Sequence, residues 1–290
     1  MLVKKDKLNN FNYKLNNFEF YSLRKFFLTA KKDKYIKNLK KIIISKLEND
    51  GTIVLKNIPL SKNNDTNKKN FKKISNLLGY VHKQNRIGEK IVTIEDKKIG
   101  KWSAKIRGYK TNDRLDLHTD GGAIALLFCI RNSVYGGSST FLFVKDILSK
   151  IKNKKYKKIL FSGFKYHTRN ESKDNSLITK RKYPVFFFKK KIHCMYNRKP
   201  IYEAMKYLND FSNLGALNYL NKIISSLKNK IFSFKLKPGE IWIVNNFMLL
   251  HGRKNFKDAK NNRRLLMRSW VTPKNFSHSG KTILEAYNNR

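Results

Sequence analysis

The sequence predicts a mostly β fold with flanking helices, built as an antiparallel double sheet such as a jelly roll. From about residue 90 onward, short β-branched and aromatic runs alternate with turn signals such as Gly136-Gly137 and Lys237-Pro238-Gly239-Glu240. Apolar residues at helical spacing cluster before this region and again at 207–228. Because we find neither an internal repeat nor a linker, we expect one domain over residues 1–290, with a mainly helical part at 1–90 and the jelly-roll core at 91–275.

The N-terminal part is predicted to contain two helices separated by a strand. Residues 33–49 carry apolar side chains at helical spacing, and Gly51 ends this helix. The β-branched run at 52–55 indicates a short strand. We expect a polar loop at 61–70, followed by a helix that ends near Gly79.

The remaining elements follow from the same patterns of apolar runs and turns. Strands are predicted at 91–94, 123–130, 139–144, 160–167, 184–188, 191–196, 231–236, 241–245 and 264–272. A lysine-dense connection is expected at 150–158 and a helix at 207–228. The segment 168–182 is polar enough to form a mobile loop or lid.

The formal net charge of +44 raises the possibility of a nucleic-acid partner. However, lysine outnumbers arginine 51 to 13, whereas proteins that recognise phosphate favour the planar arginine fork. Lysine, asparagine, isoleucine and phenylalanine are all encoded by A/T-rich codons, so compositional drift can produce this charge without a ligand. No lysine occurs at 111–144 or 239–253, which indicates that these two windows are buried.

Several other classes of protein are disfavoured. The chain has no run of about 18 uncharged apolar residues, so we expect no transmembrane helix. Residues 1–6 lack the apolar core of a signal peptide. The two cysteines, Cys129 and Cys194, lie in apolar stretches and are expected to be buried free thiols. Together these features favour a cytoplasmic protein.

A His-x-Asp motif at His118 and Asp120, with a distant His251, is the strongest chemical signal. Two imidazoles and one carboxylate form the facial triad that binds ferrous iron and leaves positions open. If His118 and Asp120 lie in one strand, their side chains point to the same face. We interpret the other four histidines as ordinary core or surface residues: His82, His167, His193 and His278.

Two arginines near the C-terminal end suggest a buried anion. Arg264 and Arg268 lie four residues apart in a predicted strand, so both would face the same side. Their apolar flanks indicate that this side is buried, and a buried arginine requires an anionic partner. We expect Arg263, which adjoins them, to lie on the surface.

These segments resemble the TauD/TfdA family of Fe(II)/2-oxoglutarate-dependent dioxygenases over roughly residues 45–275. Three blocks carry the resemblance: Arg107-Gly108-Tyr109-Lys110-Thr111-Asn112 leading to Leu117-His118-Thr119-Asp120-Gly121-Gly122; 125–131 followed by Gly136-Gly137-Ser138-Ser139; and 236–270, which includes Leu250-His251-Gly252-Arg253 and Arg264 to Trp270. Residues 51–55 and 78–85 are also similar to that family.

The resemblance implies a double-stranded β-helix that uses Fe(II), 2-oxoglutarate and O2. His118, Asp120 and His251 would bind the iron, and Arg264 would bind the distal carboxylate of 2-oxoglutarate. Ser139 would contact the same carboxylate, with Thr140 as an alternative. Arg268 would contact the substrate or the other end of the cosubstrate.

The implied reaction is hydroxylation with release of succinate and CO2, and an aspartate at position 120 disfavours a halogenase. Arg268 and Arg107 indicate a small anionic or amino-acid-derived substrate, and no membrane partner is expected. The alternative is an oxygenase or inactive homologue that binds nucleic acid through its basic surface. The sequence does not predict the oligomeric state.

Overall fold

The computed structural model describes residues 7–103, 106–172, 174–189, 191–278, 282 and 284. Its helices are α1 (Asn17–Thr29), α2 (Lys34–Asn49), α3 (Asn64–Leu78), α4 (Val144–Leu148), α5 (Lys154–Ser162), α6 (Arg198–Leu208) and α7 (Leu214–Ser226). Short 3-10 turns span Gly108–Lys110 and Lys228–Lys230.

The strands are short and account for most of the chain between the helices. They are β1 (Asn12–Lys14), β2 (Thr52–Lys56), β3 (Tyr80–Val81), β4 (Ile91–Ile94), β5 (Leu115–His118), β6 (Ile124–Arg131), β7 (Tyr135–Gly136), β8 (Ser139–Phe143), β9 (Phe186–Lys189), β10 (Lys191–Cys194), β11 (Phe232–Phe234), β12 (Ile241–Asn245), β13 (Leu249–Arg253), β14 (Phe256–Lys257) and β15 (Leu265–Thr272).

Two sheets form the centre of the molecule. The large sheet has seven strands in the order β1-β2-β12-β6-β15-β3, with β4 also paired to β15. The small sheet has four strands in the order β11-β8-β13-β5. Apart from the parallel pair β1 and β2, neighbouring strands are antiparallel. The predicted double sheet with flanking helices is therefore confirmed.

Side-chain alternation along the strands divides the apolar residues into separate clusters. In β6, Leu126 and Phe128 pack in a cluster with residues of α1, α2 and α3, whereas Leu127 and Cys129 pack in the cluster between the sheets. In β13, Leu250 packs in a third cluster with residues of α5, α6 and α7. Each sheet thus has helices on its outer face.

The structure corrects the predicted loop at 61–70. Helix α3 begins at Asn64, because the Asn63 side chain accepts hydrogen bonds from the backbone N–H groups of Asp65 and Thr66. The polar residues that suggested a loop include Asn67, which is buried and bonds to the backbone of Ser61. A strong N-cap therefore outweighs the polar composition of this first turn.

Two further predictions in the middle of the chain were wrong. The expected connection at 150–158 and strand at 160–167 overlap helix α5, whose first turn is capped by the Asn153 side chain. The helix expected at 207–228 corresponds to α7 and begins later than predicted, because Asn209 adopts a left-handed conformation with φ of 49° and ends the preceding helix α6. Helix α6 itself was not predicted. The expected strands at 184–188 and 191–196 correspond to the shorter hairpin of β9 and β10.

A loop over residues 164–183, of which residue 173 is not described, lies between α5 and β9. Isolated bridges pair Phe164 with Tyr183 and His167 with Ile178. Phe164 and Tyr183 are buried in the same cluster as α5 and α6, so the base of this loop is anchored. In the described part of the chain, no helix has the length and apolar character needed to cross a membrane.

Candidate metal centre and adjoining cavities

Strands β5 and β13 bring the two candidate histidines face to face. His118 is the last residue of β5 and pairs with His251 of β13 in an antiparallel register. A Cβ on Gly252 would lie 2.6 Å from the backbone oxygen of Leu115, so the close approach of these strands requires glycine at that position. The ring centroids of the two histidines lie 4.8 Å apart.

Asp120 lies beyond the end of β5, so the expectation that it shares a strand with His118 was wrong. Its position comes from Asn246, in the turn between β12 and β13. The Asp120 backbone N–H donates to Asn246 Oδ1 at 3.2 Å, and Asn246 Nδ2 donates to the Gly122 oxygen at 2.7 Å. A buried side-chain amide thus fixes the Asp120 loop against the turn that leads to His251.

The three side chains converge on one point. His251 Nε2 lies 3.3 Å from Asp120 Oδ2, and His118 Nε2 lies 3.9 Å from Asp120 Oδ1. One ligand atom from each residue lies within 4.8 Å of the other two, and this is the one such group of histidine, cysteine or acidic side chains among the described residues. A 2.7 Å contact between His118 Nδ1 and the Asp116 oxygen fixes Nδ1 as the donor, which leaves Nε2 to bind a metal.

The electrostatics of the triad suit a cation. Burial acts to raise the pKa of Asp120, but Arg268 and the two histidines outweigh it and hold the pKa well below its usual range. Burial, and then repulsion from His251, lowers the pKa of His118 to about 4. At neutral pH the pair is therefore a carboxylate and a neutral imidazole, the ionisation states that a ferrous ion requires. The donor set fits Fe(II).

On one side the triad adjoins a cavity of about 40 Å3, here called the Arg264 cavity. Arg264 is 3% exposed, and its Nε and Nη1 have no hydrogen-bond partner among the described residues. Burial lowers the pKa of Arg264 to about 10, so it remains charged at neutral pH. Ser139 lines this cavity, whereas Thr140 pairs with Gly252 and is not part of the lining.

Arg253 is a second cation in the Arg264 cavity, and the sequence analysis missed it as a site residue. Its Nη2 donates to the backbone oxygens of Thr111 and Asp113, while its Nε and Nη1 have no partner in the described chain. Burial, and then repulsion from Arg264, lowers the pKa of Arg253 to about 9. Both guanidiniums lie over the Phe256 ring, at 4.8 and 5.1 Å. Arg253 lies two residues after His251 in the same strand, so both side chains point to the same face, and this spacing could have identified Arg253 from the sequence.

On its other side the triad adjoins a second cavity of about 40 Å3, here called the Arg107 cavity. Arginines 107, 169 and 268 line it together with the indole rings of Trp102 and Trp270. His118, Asp120 and Arg268 line both cavities, so the two cavities meet at the triad. Trp102 and Arg169 were not predicted as site residues, because they lie in loops without a sequence period.

Arg268 connects the two cavities. Its Nη1 donates to Asp120 Oδ1 at 3.1 Å, and its Nε donates to Gln84 Oε1 at 2.8 Å. Its guanidinium lies 4.5 Å from the centroid of the Trp270 ring. Arg268 is thus bound to a candidate metal ligand, and its Nη2 has no hydrogen-bond partner within the described chain. Arg263, as expected, is exposed.

A double sheet that holds two histidines and a carboxylate in this arrangement defines the class of non-haem iron oxygenases. Comparison with known proteins agrees with this class. Residues 29–270 match the model of the family described as taurine catabolism dioxygenase TauD, TfdA family, and the chain belongs to this family. The resemblance predicted from the sequence is confirmed, and Fe(II) and 2-oxoglutarate are the cofactor and cosubstrate of this family.

Individual relatives are more distant. The chain is 24% identical over 219 residues to FR-33289 synthase of Streptomyces rubellomurinus, a match that covers 68% of this chain and 61% of that relative. An asparagine oxygenase solved with Fe(II), 2S,3S-3-hydroxyasparagine and succinate superposes with a TM-score of 0.67 at 15% identity, covering 90% of this chain and 93% of that one. The non-heme iron oxygenase OrfP, solved with Fe and alpha-ketoglutaric acid, gives a TM-score of 0.66 at 14% identity, covering 91% and 94%.

Proposed function

We propose that this protein is an Fe(II)/2-oxoglutarate-dependent dioxygenase that hydroxylates a small anionic or amino-acid-derived substrate and releases succinate and CO2. The convergence of His118, Asp120 and His251 between two arginine-containing cavities carries this proposal. The family match and the ligands of the neighbouring structures support it. Neither supports the alternative of a nucleic-acid substrate.

The triad residues would hold the metal through His118 Nε2, His251 Nε2 and an oxygen of Asp120. When bound, iron with 2-oxoglutarate and O2 supplies the oxidising power to hydroxylate a C–H bond. The protein supplies the geometry. Asp116 orients His118, Asn246 positions the Asp120 loop, and Arg268 keeps the Asp120 carboxylate ionised. Asp120 would therefore be shared between a cation at the metal position and the guanidinium of Arg268.

The Arg264 cavity would receive 2-oxoglutarate. Nε and Nη1 of Arg264 have no hydrogen-bond partner among the described residues, so this guanidinium would be available to bind a carboxylate, and the Ser139 hydroxyl would add a further hydrogen bond. The side chains of Ile94, Leu127 and Leu266 line the same cavity and would contact the methylene carbons of 2-oxoglutarate. Because these walls are apolar, a single carboxylate at Arg264 would be bound in a setting from which water is largely excluded.

The Arg107 cavity would receive the substrate. Three arginines line it, and the one acidic side chain in the lining, Asp120, belongs to the metal triad. This excess of positive charge favours an anionic substrate. The indole rings of Trp102 and Trp270 would limit its width and exclude water from the C–H bond that reacts.

One experiment tests whether the protein binds Fe(II) together with 2-oxoglutarate and forms succinate. Purified anaerobic protein is incubated with Fe(II) and 2-oxoglutarate, and the weak visible charge-transfer band of the chelate is recorded. O2 is then admitted and succinate is measured in the same sample. We expect both the band and succinate. A folded protein without the band has no working iron site, and the proposed function is then wrong.

A further inference from the structure

An ion pair links Arg107, which lines the Arg107 cavity, to the 164–183 loop. Glu171 Oε1 lies 2.9 Å from Arg107 Nη1, and the two side chains are 15% and 14% exposed. The second oxygen of Glu171 is buried and has no hydrogen-bond partner among the described residues. The pair is thus largely shielded from water, and charges interact more strongly where water is excluded. Only one of the two carboxylate oxygens has a hydrogen-bond partner among the described residues, although a carboxylate can accept about four hydrogen bonds.

Glu171 reaches Arg107 from the tip of the 164–183 loop. The base of the loop is fixed by the bridges of Phe164 with Tyr183 and of His167 with Ile178. Nearer the tip, the backbone N–H of Thr168 donates to the oxygen of Leu177 at 2.8 Å. The loop thus has an anchored base, and near its tip it meets the cavity through the ion pair of Glu171 with Arg107 and through Arg169, which lines the cavity.

The charges around Arg107 are unbalanced. Arg268, which also lines the cavity, is paired with Asp120. Burial lowers the pKa of Arg268, and the nearby positive charge of Arg107 lowers it further. Lys199 adds a further cation at the rim, where its Nζ donates to the oxygen of Trp102 at 2.7 Å. Glu171 is the carboxylate that pairs with Arg107 in the described chain, so the cavity has a position for one anionic group.

We propose that the Glu171 carboxylate occupies the position on Arg107 that an oxyanionic group of the substrate takes when the substrate binds. The substrate would exchange its own oxyanion for the Glu171 carboxylate on Arg107, and this exchange would release the tip of the 164–183 loop. Arg107 is then a specificity-determining residue, because a guanidinium binds an oxyanion through parallel N–H groups and does not bind a neutral or cationic group in that position. The inference rests on the proposed function in identifying the Arg107 cavity as the substrate side.

Sulfate binding to the metal-free full-length chain tests the exchange. Sulfate titrations by calorimetry are compared for the wild type, Glu171→Gln and Asp174→Asn. Asp174 is a matched control, since it lies in the same loop and loses the same charge, but it pairs with Lys180 at 3.2 Å instead of Arg107. We expect Glu171→Gln to bind sulfate roughly tenfold more tightly than the wild type, on the scale of one hydrogen-bonded charge contact, and Asp174→Asn to be unchanged.

Two further measurements locate the effect. Adding Arg107→Gln to Glu171→Gln is expected to remove the gained sulfate affinity. Hydrogen exchange at the Thr168 amide is expected to become faster when sulfate binds to the wild type, and to be already fast in Glu171→Gln. Equal affinities of Glu171→Gln and Asp174→Asn, or a gain in sulfate affinity that persists when Arg107→Gln is added, would overturn the proposal.

This test separates the two proposals. It needs neither iron nor turnover, so an absent charge-transfer band with a positive sulfate result rejects only the dioxygenase function. A band and succinate, with no sulfate effect in Glu171→Gln, reject only the exchange on Arg107.

Discussion

The two cavities that meet at the triad are built from different kinds of structure. The Arg264 cavity is lined mainly by strand residues of β4, β5, β6, β8, β13 and β15. The Arg107 cavity takes Trp102, Arg107, Arg169 and Asn197 from segments outside the strands. Strands fix side-chain positions through the hydrogen bonds of the sheet, whereas loops accept changes in length and sequence. The first cavity therefore suits a constant cosubstrate, and the second suits a substrate that differs between relatives.

Two members of the triad, His118 and Asp120, line both cavities, so the loss of a triad residue has the largest expected effect. His118→Ala is expected to abolish both the charge-transfer band and succinate formation, because iron loses one of three protein ligands. Thermal unfolding is expected to remain cooperative, since His118 lies at the end of β5 and not within an apolar cluster. His82→Ala, which removes a histidine outside the cluster, is the control. Full activity in His118→Ala would remove the iron assignment.

The strand-built cavity is tested next. Arg264→Ala is expected to raise the 2-oxoglutarate requirement at least tenfold, or about 1.4 kcal/mol, because a buried charged contact is lost. The requirement is measured by titrating the charge-transfer band. Arg263→Ala is a matched control, because Arg263 is the adjacent residue and is exposed. An unchanged requirement in Arg264→Ala would transfer the role to another residue, and Arg253 would be the first to test.

Substitutions of Ser139 and Thr140 test the same cavity, and their expected effects on the 2-oxoglutarate requirement are smaller than that of Arg264→Ala. Ser139→Ala is expected to raise the 2-oxoglutarate requirement roughly fivefold, on the scale of one neutral hydrogen bond. Thr140→Ala is expected to change it less than about twofold on the same scale, since Thr140 does not line the cavity. The same band titration compares the two variants directly. The reverse order of effects would assign the contact to Thr140.

The smallest effect on the 2-oxoglutarate requirement is expected for a residue that lines the Arg107 cavity alone. Arg107→Gln is expected to change the 2-oxoglutarate requirement less than about twofold, because Arg107 lines only the Arg107 cavity. The titration is performed anaerobically without substrate, so that only the cosubstrate is measured. A rise as large as that in Arg264→Ala would mean that the two cavities act as one, and the comparison above would fail.

The same contrast explains what the sequence could predict. Much of the site lies in strands, where a period of two assigns each side chain to one face of the sheet. These strand residues include His251 and the apolar runs of β6, β12 and β15. This period correctly placed Arg264 and Arg268 among the buried residues. Arg253 follows the same rule and could have been found with it. The strand elements of the site were therefore accessible from local pattern alone.

The loop elements were not accessible in this way. Glu171 and Arg107 are 64 residues apart in the chain, and no local period relates them. The structure brings Asp120 together with His118 and His251, but the premise of a shared strand was wrong, because a tertiary contact from Asn246 determines the position of Asp120. Helices α3 and α5 were missed or shortened, because a single asparagine cap decides where a polar segment becomes helical.

Asn246 also bears on how this sequence tolerates mutation. The chain is rich in asparagine, and at exposed positions an exchange for lysine or aspartate changes little. At position 246 both ends of the amide are in use, since its oxygen accepts from Asp120 and its nitrogen donates to Gly122. An aspartate there would place a second negative charge beside the Asp120 loop and could not donate to Gly122. Among the many asparagines of this chain, this one is fixed by chemistry and not by the base composition of its gene.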